Sequence, residues 1–192
     1  MRSRASLLAV FEGCLMLVFI DTEFTGFEPD AQLISIGLVS ERSETESLYL
    51  ENKYFDRSIC NDFVKSTVIP LLEGGERVCP LGVMGYKVWD WLEQLHVSSG
   101  EPIEIAVDYT GDWYWLMALL SEALYAGVPK LMPPGLSAQP VAIWDLISDK
   151  RVQEMERSWV LDRGLREHHA LDDAIRNRYS TLVLAPVVRG CL

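Results

Sequence analysis

The run "MLVFIDTEF", residues 16–24, constrains this chain most. Its apolar half reads as a buried strand, and its polar end sets Asp21 and Glu23 one residue apart, with Thr22 between. Side chains alternate across a strand, so residues two apart share a face. The two carboxylates are therefore expected side by side. At that separation they repel, and one must hold a proton unless a positive charge sits between them. A divalent cation meets that need.

The segments "AQLISIGLVSE" (31–41) and "ESLYLENKYF" (46–55) read as two further strands joined by the polar turn "ERSETES". The three strands form an expected antiparallel meander. Helical patterns follow at "NDFVKSTVIPLL", where Pro70 ends or kinks the helix, and over about Val83–Leu95, with Val88, Trp91, Leu92 and Leu95 on one face. "EPIEIAVDY" is the fourth strand. "DWYWLMALLSEALYAGVP" is a helix apolar nearly all round, expected at the centre of the core and stopped by Gly127 and Pro129. "QPVAIWDL" reads as a fifth strand, with Asp145 at its end, and "HHALDDAIRNRYSTLVLA" as the closing helix. The fold class is α/β: a mixed five-stranded sheet, three antiparallel strands then a βαβ unit, with helices on both faces. "GVPKLMPPGLSAQP" is a long loop.

The chain has 192 residues, 49% hydrophobic, which suits one domain at residues 16–185, with an extension at 1–15 and a tail at 186–192. Arg2 and Arg4 precede a short apolar stretch, but Glu12 interrupts it and no small-residue cleavage site follows, so an extension is preferred to a signal peptide. No run approaches the roughly 18–20 apolar residues of a membrane span. Cys14, Cys60, Cys79 and Cys191 form no CxxC pair, which suits reduced thiols in a cytoplasmic protein. The net charge of −11 disfavours a wide electrostatic footprint on nucleic acid, leaving local contact where metal reverses the sign. A homodimer is compatible with the sequence.

Four more acidic positions stand where functional groups often stand. Asp112 opens the long apolar helix just after the fourth strand, where it could also serve as a cap, and Asp108 ends that strand and competes with it. Asp172 and Asp173 lie in the first turn of the last helix, where the helix dipole favours anions. His168 precedes Asp173 by five residues, about 140° away on a helix, so both reach one site only if His168 sits on the loop before it. His169 is expected to begin the helix and face solvent or the edge of a substrate, and His96 to be a solvated helix-end residue.

In order, "DTEFTG", "DYTGDWYWL" and "HHALDDA" resemble the three motifs of the DEDDh 3′–5′ exonucleases, the superfamily of polymerase proofreading subunits and oligoribonuclease. The first motif with "LISIGLVS" is similar to that of the small bacterial 3′–5′ exoribonucleases. The resemblance spans about Met16–Tyr179 and implies a ribonuclease H-like fold. It implies two divalent ions, Mg2+ or Mn2+, held by Asp21, Glu23, Asp112 and Asp173, with His168 as general base. Family spacing favours Asp112 over Asp108. Thr25 and Gly26 would let backbone approach a terminal nucleotide, and Phe24 or Phe27 would stack on a base. The implied partner is single-stranded RNA or a short oligonucleotide. Two readings compete with this enzyme: a catalytically silent ribonuclease H-like binding module, and an acidic scaffold whose carboxylates only cap helices.

Overall fold

The structure, a computed structural model, describes residues 15–189, so Cys14, Cys191 and the expectations for residues 1–14 lie outside the described residues. A single mixed sheet runs in the order β4 (Val78–Cys79), β3 (Ser47–Asn52), β2 (Leu33–Ser40), β1 (Met16–Phe24), β5 (Ile103–Val107) and β6 (Val141–Ala142). Strands β1 (Met16–Phe24), β2 (Leu33–Ser40) and β3 (Ser47–Asn52) form the antiparallel meander, with Asp21 opposite Gly37 and Ile36 opposite Leu50. The chain then crosses over, and β5 (Ile103–Val107) pairs parallel to β1 between Met16–Phe19 and Ile103–Ala106. The central strand β1 is buried on both faces, as its unbroken apolar run requires.

The sheet has six strands where five were expected. The addition is β4 (Val78–Cys79), a two-residue parallel edge beside β3 that is too short to leave a pattern in sequence. The expected fifth strand shrinks to β6 (Val141–Ala142), because the chain turns at Ile143 into a short helix, α3 (Trp144–Ile147). Asp145 accordingly lies in a helical turn and not at a strand end.

Two helices, α1 (Leu81–Ser99) and α2 (Thr110–Tyr125), cover one face of the sheet. Met84, Val88 and Leu92 of α1 and Leu116, Leu119 and Leu120 of α2 pack with Met16, Val18 and Ile20 of β1. Gly85 lets the two helices touch, since a Cβ there would lie 2.2 Å from the Leu119 carbonyl oxygen. Although apolar nearly all round, α2 is not a central helix: Tyr114 and Tyr125 are 69% and 87% exposed. His96 is not simply solvated, because its Nδ1 lies 2.8 Å from the Glu101 carbonyl oxygen.

The other face carries α5 (Ala170–Tyr179), with Ala174 against Leu17 and Phe19. A π-helical turn (Ser180–Leu184) leads into α6 (Ala185–Arg189), so the expected tail is helical as far as it is described. A further helix, α4 (Lys150–Arg163), went unread in the sequence, although both its ends are signposted: the Asp149 side chain accepts from the Arg151 N–H, and Gly164 ends it at φ 65°. The segment read as a helix around Pro70 is a π turn (Val64–Val68) followed by a 3-10 turn (Ile69–Leu71), with Pro70 at the start of the second.

Candidate active site

Odd-numbered β1 residues face α5, so Asp21 and Glu23 share the face of Leu17 and Phe19, as strand alternation requires. Directly across the ladder from Asp21 stands Gly37. A Cβ at Gly37 would lie 2.3 Å from the Leu171 nitrogen and 2.4 Å from the Ala170 carbonyl, closer than any real contact. The first turn of α5 therefore rests on bare backbone, and this seating brings Asp173 and His168 to the carboxylates of β1. Sequence reading missed Gly37; the only signal was a glycine inside a β-branched, apolar strand.

His168 lies on the loop before α5, as the spacing demanded. Its φ is 63°, the one positive value for a non-glycine residue among the described residues. Its N–H donates to Asp173 Oδ2 at 2.9 Å, and its ring, 39% exposed, meets the Phe63 ring edge-on. The turn is held from its other side by the neighbouring acid. Asp172 Oδ2 accepts from the Arg166 N–H at 2.9 Å and from Arg166 Nε at 2.7 Å, and Arg166 also reaches Glu73 at 2.8 Å. Burial resists ionisation of Asp172, yet the His169 ring and the Arg166 guanidinium hold it well below the usual carboxylate range.

His169 does not face solvent. It is 2% exposed, its ring centroid lies 4.4 Å from that of Tyr49, and its Nδ1 accepts from the Asp172 N–H as the cap of α5. The reason is local: with His168 in the left-handed region, the next side chain turns inward under the loop.

Asp112 comes from the opposite face. Pairing of β1 with β5 stops at Phe19, which leaves the Thr22 N–H free on that edge, and Asp112 Oδ1 accepts it at 3.1 Å together with the Thr22 hydroxyl at 2.6 Å. The Asp112 side chain thus does not cap α2; it ties the helix to β1. Its other oxygen, Oδ2, is buried without a hydrogen-bond partner.

Two adjoining groups result. Glu23, His168 and Asp173 each present a ligand atom within 4.8 Å of the others, and so do Asp21, Asp108 and Asp112. Burial, then repulsion from Asp112, Asp173 and Glu23, drives the Asp21 carboxyl well above its ordinary value. Burial and the charges of Asp173 and Asp112 push Glu23 up to about 8. Burial raises Asp112 to about 7 against the opposing Thr22 hydrogen bonds, and raises Asp173 to about 6 against Arg176, which lies 3.1 Å from it. Four carboxyls displaced in one direction, and an orphaned buried oxygen on Asp112, fit a site built for hard cations with oxygen ligands.

The remaining sequence candidates divide. Thr25 is 1% exposed and its hydroxyl accepts from the Gln32 N–H, so its side chain is committed to the fold. Gly26 lies beside it, where an added Cβ would meet only the Asn61 amide at 3.6 Å. Phe24 is half-buried, stacked near Trp115 and Tyr109 with centroids 5.8 and 6.4 Å away, while Phe27 is 81% exposed and meets Phe24 edge-on. Tyr109 and Trp115 complete an aromatic patch that only the turn from β5 into α2 assembles.

Sheet order and helix placement together describe a ribonuclease H-like α/β domain. The fold is that of the DEDDh nuclease domain. The nuclease domain of 3′hExo, a DEDDh family member bound to rAMP, aligns over 92% of this chain and 93% of its own length at 16% identity and a TM-score of 0.63. A 3′-exonuclease solved for its 3′-end specific recognition of histone mRNA stem-loop aligns over 92% of this chain and 83% of its own, at 15% identity and a TM-score of 0.60. A full-length 3′-exonuclease gives the same two coverages, 16% identity and a TM-score of 0.58. No family model matches the chain, and no curated protein matches it in sequence. Similarity to the small bacterial exoribonucleases is not among these findings. Among the described residues no helix is long and apolar enough to cross a membrane.

Proposed function

We propose that this chain is a metal-dependent 3′–5′ exonuclease that releases nucleoside 5′-monophosphates, acting on RNA or short single-stranded oligonucleotides. The observation that carries this reading is convergence. Asp21 and Glu23, Asp112, and His168 with Asp173 come from three segments far apart in the chain and meet at one end of β1.

Asp21, Glu23, Asp112 and Asp173 would hold two divalent ions, Mg2+ or Mn2+. When bound, such ions neutralise phosphate oxygens, supply a hydroxide nucleophile and stabilise the leaving oxygen. The protein's own contribution is placement. Thr22 fixes Asp112, Gly37 seats the α5 turn that carries Asp173, and the strained turn presents the exposed His168 ring beside Glu23 and Asp173. A histidine there can take the proton of an attacking water. Phe24, Phe27 and Tyr109 offer faces on which a terminal base can stack, with Gly26 leaving backbone open beside them. With net charge −11, little positive surface remains for a long duplex, which favours short or frayed ends and a shallow salt dependence.

A silent binding module would have no use for an exposed imidazole held at a costly φ beside two carboxylates. The deciding experiment measures nucleotide release from matched 3′-labelled RNA and DNA oligomers of several lengths, with Mn2+ and with EDTA. Mononucleotide release that EDTA abolishes is the expected result. Metal binding with no release from any oligomer would leave the silent module as the better reading.

A further inference from the structure

The geometry points to Asp108 as a fifth carboxylate of the metal centre, a direct ligand at the pole formed by Asp21 and Asp112. The inference rests on the nuclease reading, since the ions are those that the reading requires.

Asp108 follows the last residue of β5, and Asp112 lies in the first turn of α2. Between them the chain reverses tightly. Tyr109 is extended, and its ring folds back over Gly111, where a Cβ would sit 2.1 Å from a ring carbon. That reversal brings both carboxylates to Asp21, so the three present oxygens within 4.8 Å of one another.

Oxygen accounting favours Asp108 at this pole. Asp112 has spent Oδ1 on the two Thr22 donors and offers only the buried, unpartnered Oδ2. The Asp21 carboxyl feels Asp173 and Glu23 as well as Asp112 and Asp108, so it is not devoted to this pole alone. Asp108 Oδ1 accepts the Tyr109 N–H at 2.9 Å, a bond that orients the carboxylate and leaves its second oxygen for an ion. Three hard oxygens from three side chains suit Mg2+ or Mn2+. Charge agrees: five carboxylates stand against two 2+ ions and the Arg176 guanidinium beside Asp173. Family spacing selects Asp112 over Asp108, whereas the tertiary arrangement uses both.

The test is Mn2+ binding to the full chain, followed by the resonance of free Mn2+, for wild type, Asp108→Asn and Asp108→Ala, with nucleotide release measured in parallel. Wild type should take up two ions. Asp108→Asn keeps the bond to the Tyr109 N–H, and should bind one ion with unchanged affinity. Its second ion should weaken at least as much as the roughly 10–100-fold that loss of an outer-shell partner costs. Turnover by the variant should recover at high Mn2+. Melting in EDTA should be unchanged or raised for both variants, which separates ligand loss from misfolding. Superimposable two-ion isotherms for wild type and both variants overturn the assignment. Two-ion binding weakened by Asp108→Asn, with no nucleotide release from the wild type, would sustain the ligand and sink the nuclease reading instead.

Discussion

Thr22 gives both its main-chain N–H and its hydroxyl to one oxygen of Asp112, at 3.1 and 2.6 Å. The residue between the two carboxylates of β1 thus points to the other face and anchors the third. Thr22→Val removes the hydroxyl from a buried carboxylate and should lower stability by about 1–3 kcal/mol. Thr22→Ser should restore most of that loss. Chemical denaturation of the metal-loaded protein checks both, and an unaffected Thr22→Val variant would show that the bond does not hold α2 to the sheet.

Gly37→Ala should be far more damaging than an added methyl suggests. The new Cβ meets main-chain atoms of Ala170 and Leu171, which cannot rotate away. Either α5 lifts from the sheet or β2 distorts, and in both cases Asp173 and His168 leave Asp21 and Glu23. Displacement of about 1 Å at a catalytic group can cost about 10²-fold in rate. Turnover should fall at least that far, with a lowered melting temperature. Wild-type activity would mean that the seating is loose.

The two histidines should separate cleanly. His168→Ala should reduce turnover by roughly 10²–10⁴-fold, the usual size of general-base catalysis, while fold and metal uptake survive. His169→Ala should act on stability first, because it empties a buried site against Tyr49 and removes the cap of α5. Turnover and denaturation curves for both variants check this. Undiminished turnover without His168 would remove it as the base.

The metal-free protein should lose stability as pH rises. Glu23, Asp112 and Asp173 have native pKa values of about 8, 7 and 6. An unfolded carboxyl titrates near 4. Between those limits the native state binds more protons than the unfolded one, so the stability is present below about pH 4 and lost as pH climbs through about 6–8. Asp172, held low by His169 and Arg166, works the other way and loses its contribution only in acid. Calorimetry in EDTA should therefore show melting falling from pH 5.5 to pH 8. Millimolar Mn2+ should reverse that order, since ligands bind deprotonated carboxylates and stabilise only the native state. Asp21→Ala should raise metal-free stability at pH 8 and lose the Mn2+ response. A flat melting profile in EDTA would contradict the crowding.

What the sequence determined by itself is the local part of this arrangement. A strand period of two is enough to put Asp21 and Glu23 on one face, and a helix period of 3.6 is enough to forbid His168 and Asp173 on one helix unless a loop intervenes. The meander, the crossover and the order of the motifs are legible because each depends on a run of side chains or a short turn. What only the tertiary structure decided is which groups from distant segments meet. The free Thr22 N–H exists because β5 stops pairing at Phe19, and Asp112 becomes a tie to β1 for that reason. His169 is buried because the preceding residue turns left-handed, an effect of Arg166, Asp172 and Asp173 together. Gly37 matters because another element lies on it, and Gly111 because the Tyr109 ring folds over it. These outcomes rest on contacts between residues far apart in the chain or on the exact path of a loop. No periodicity within a single segment carries that information.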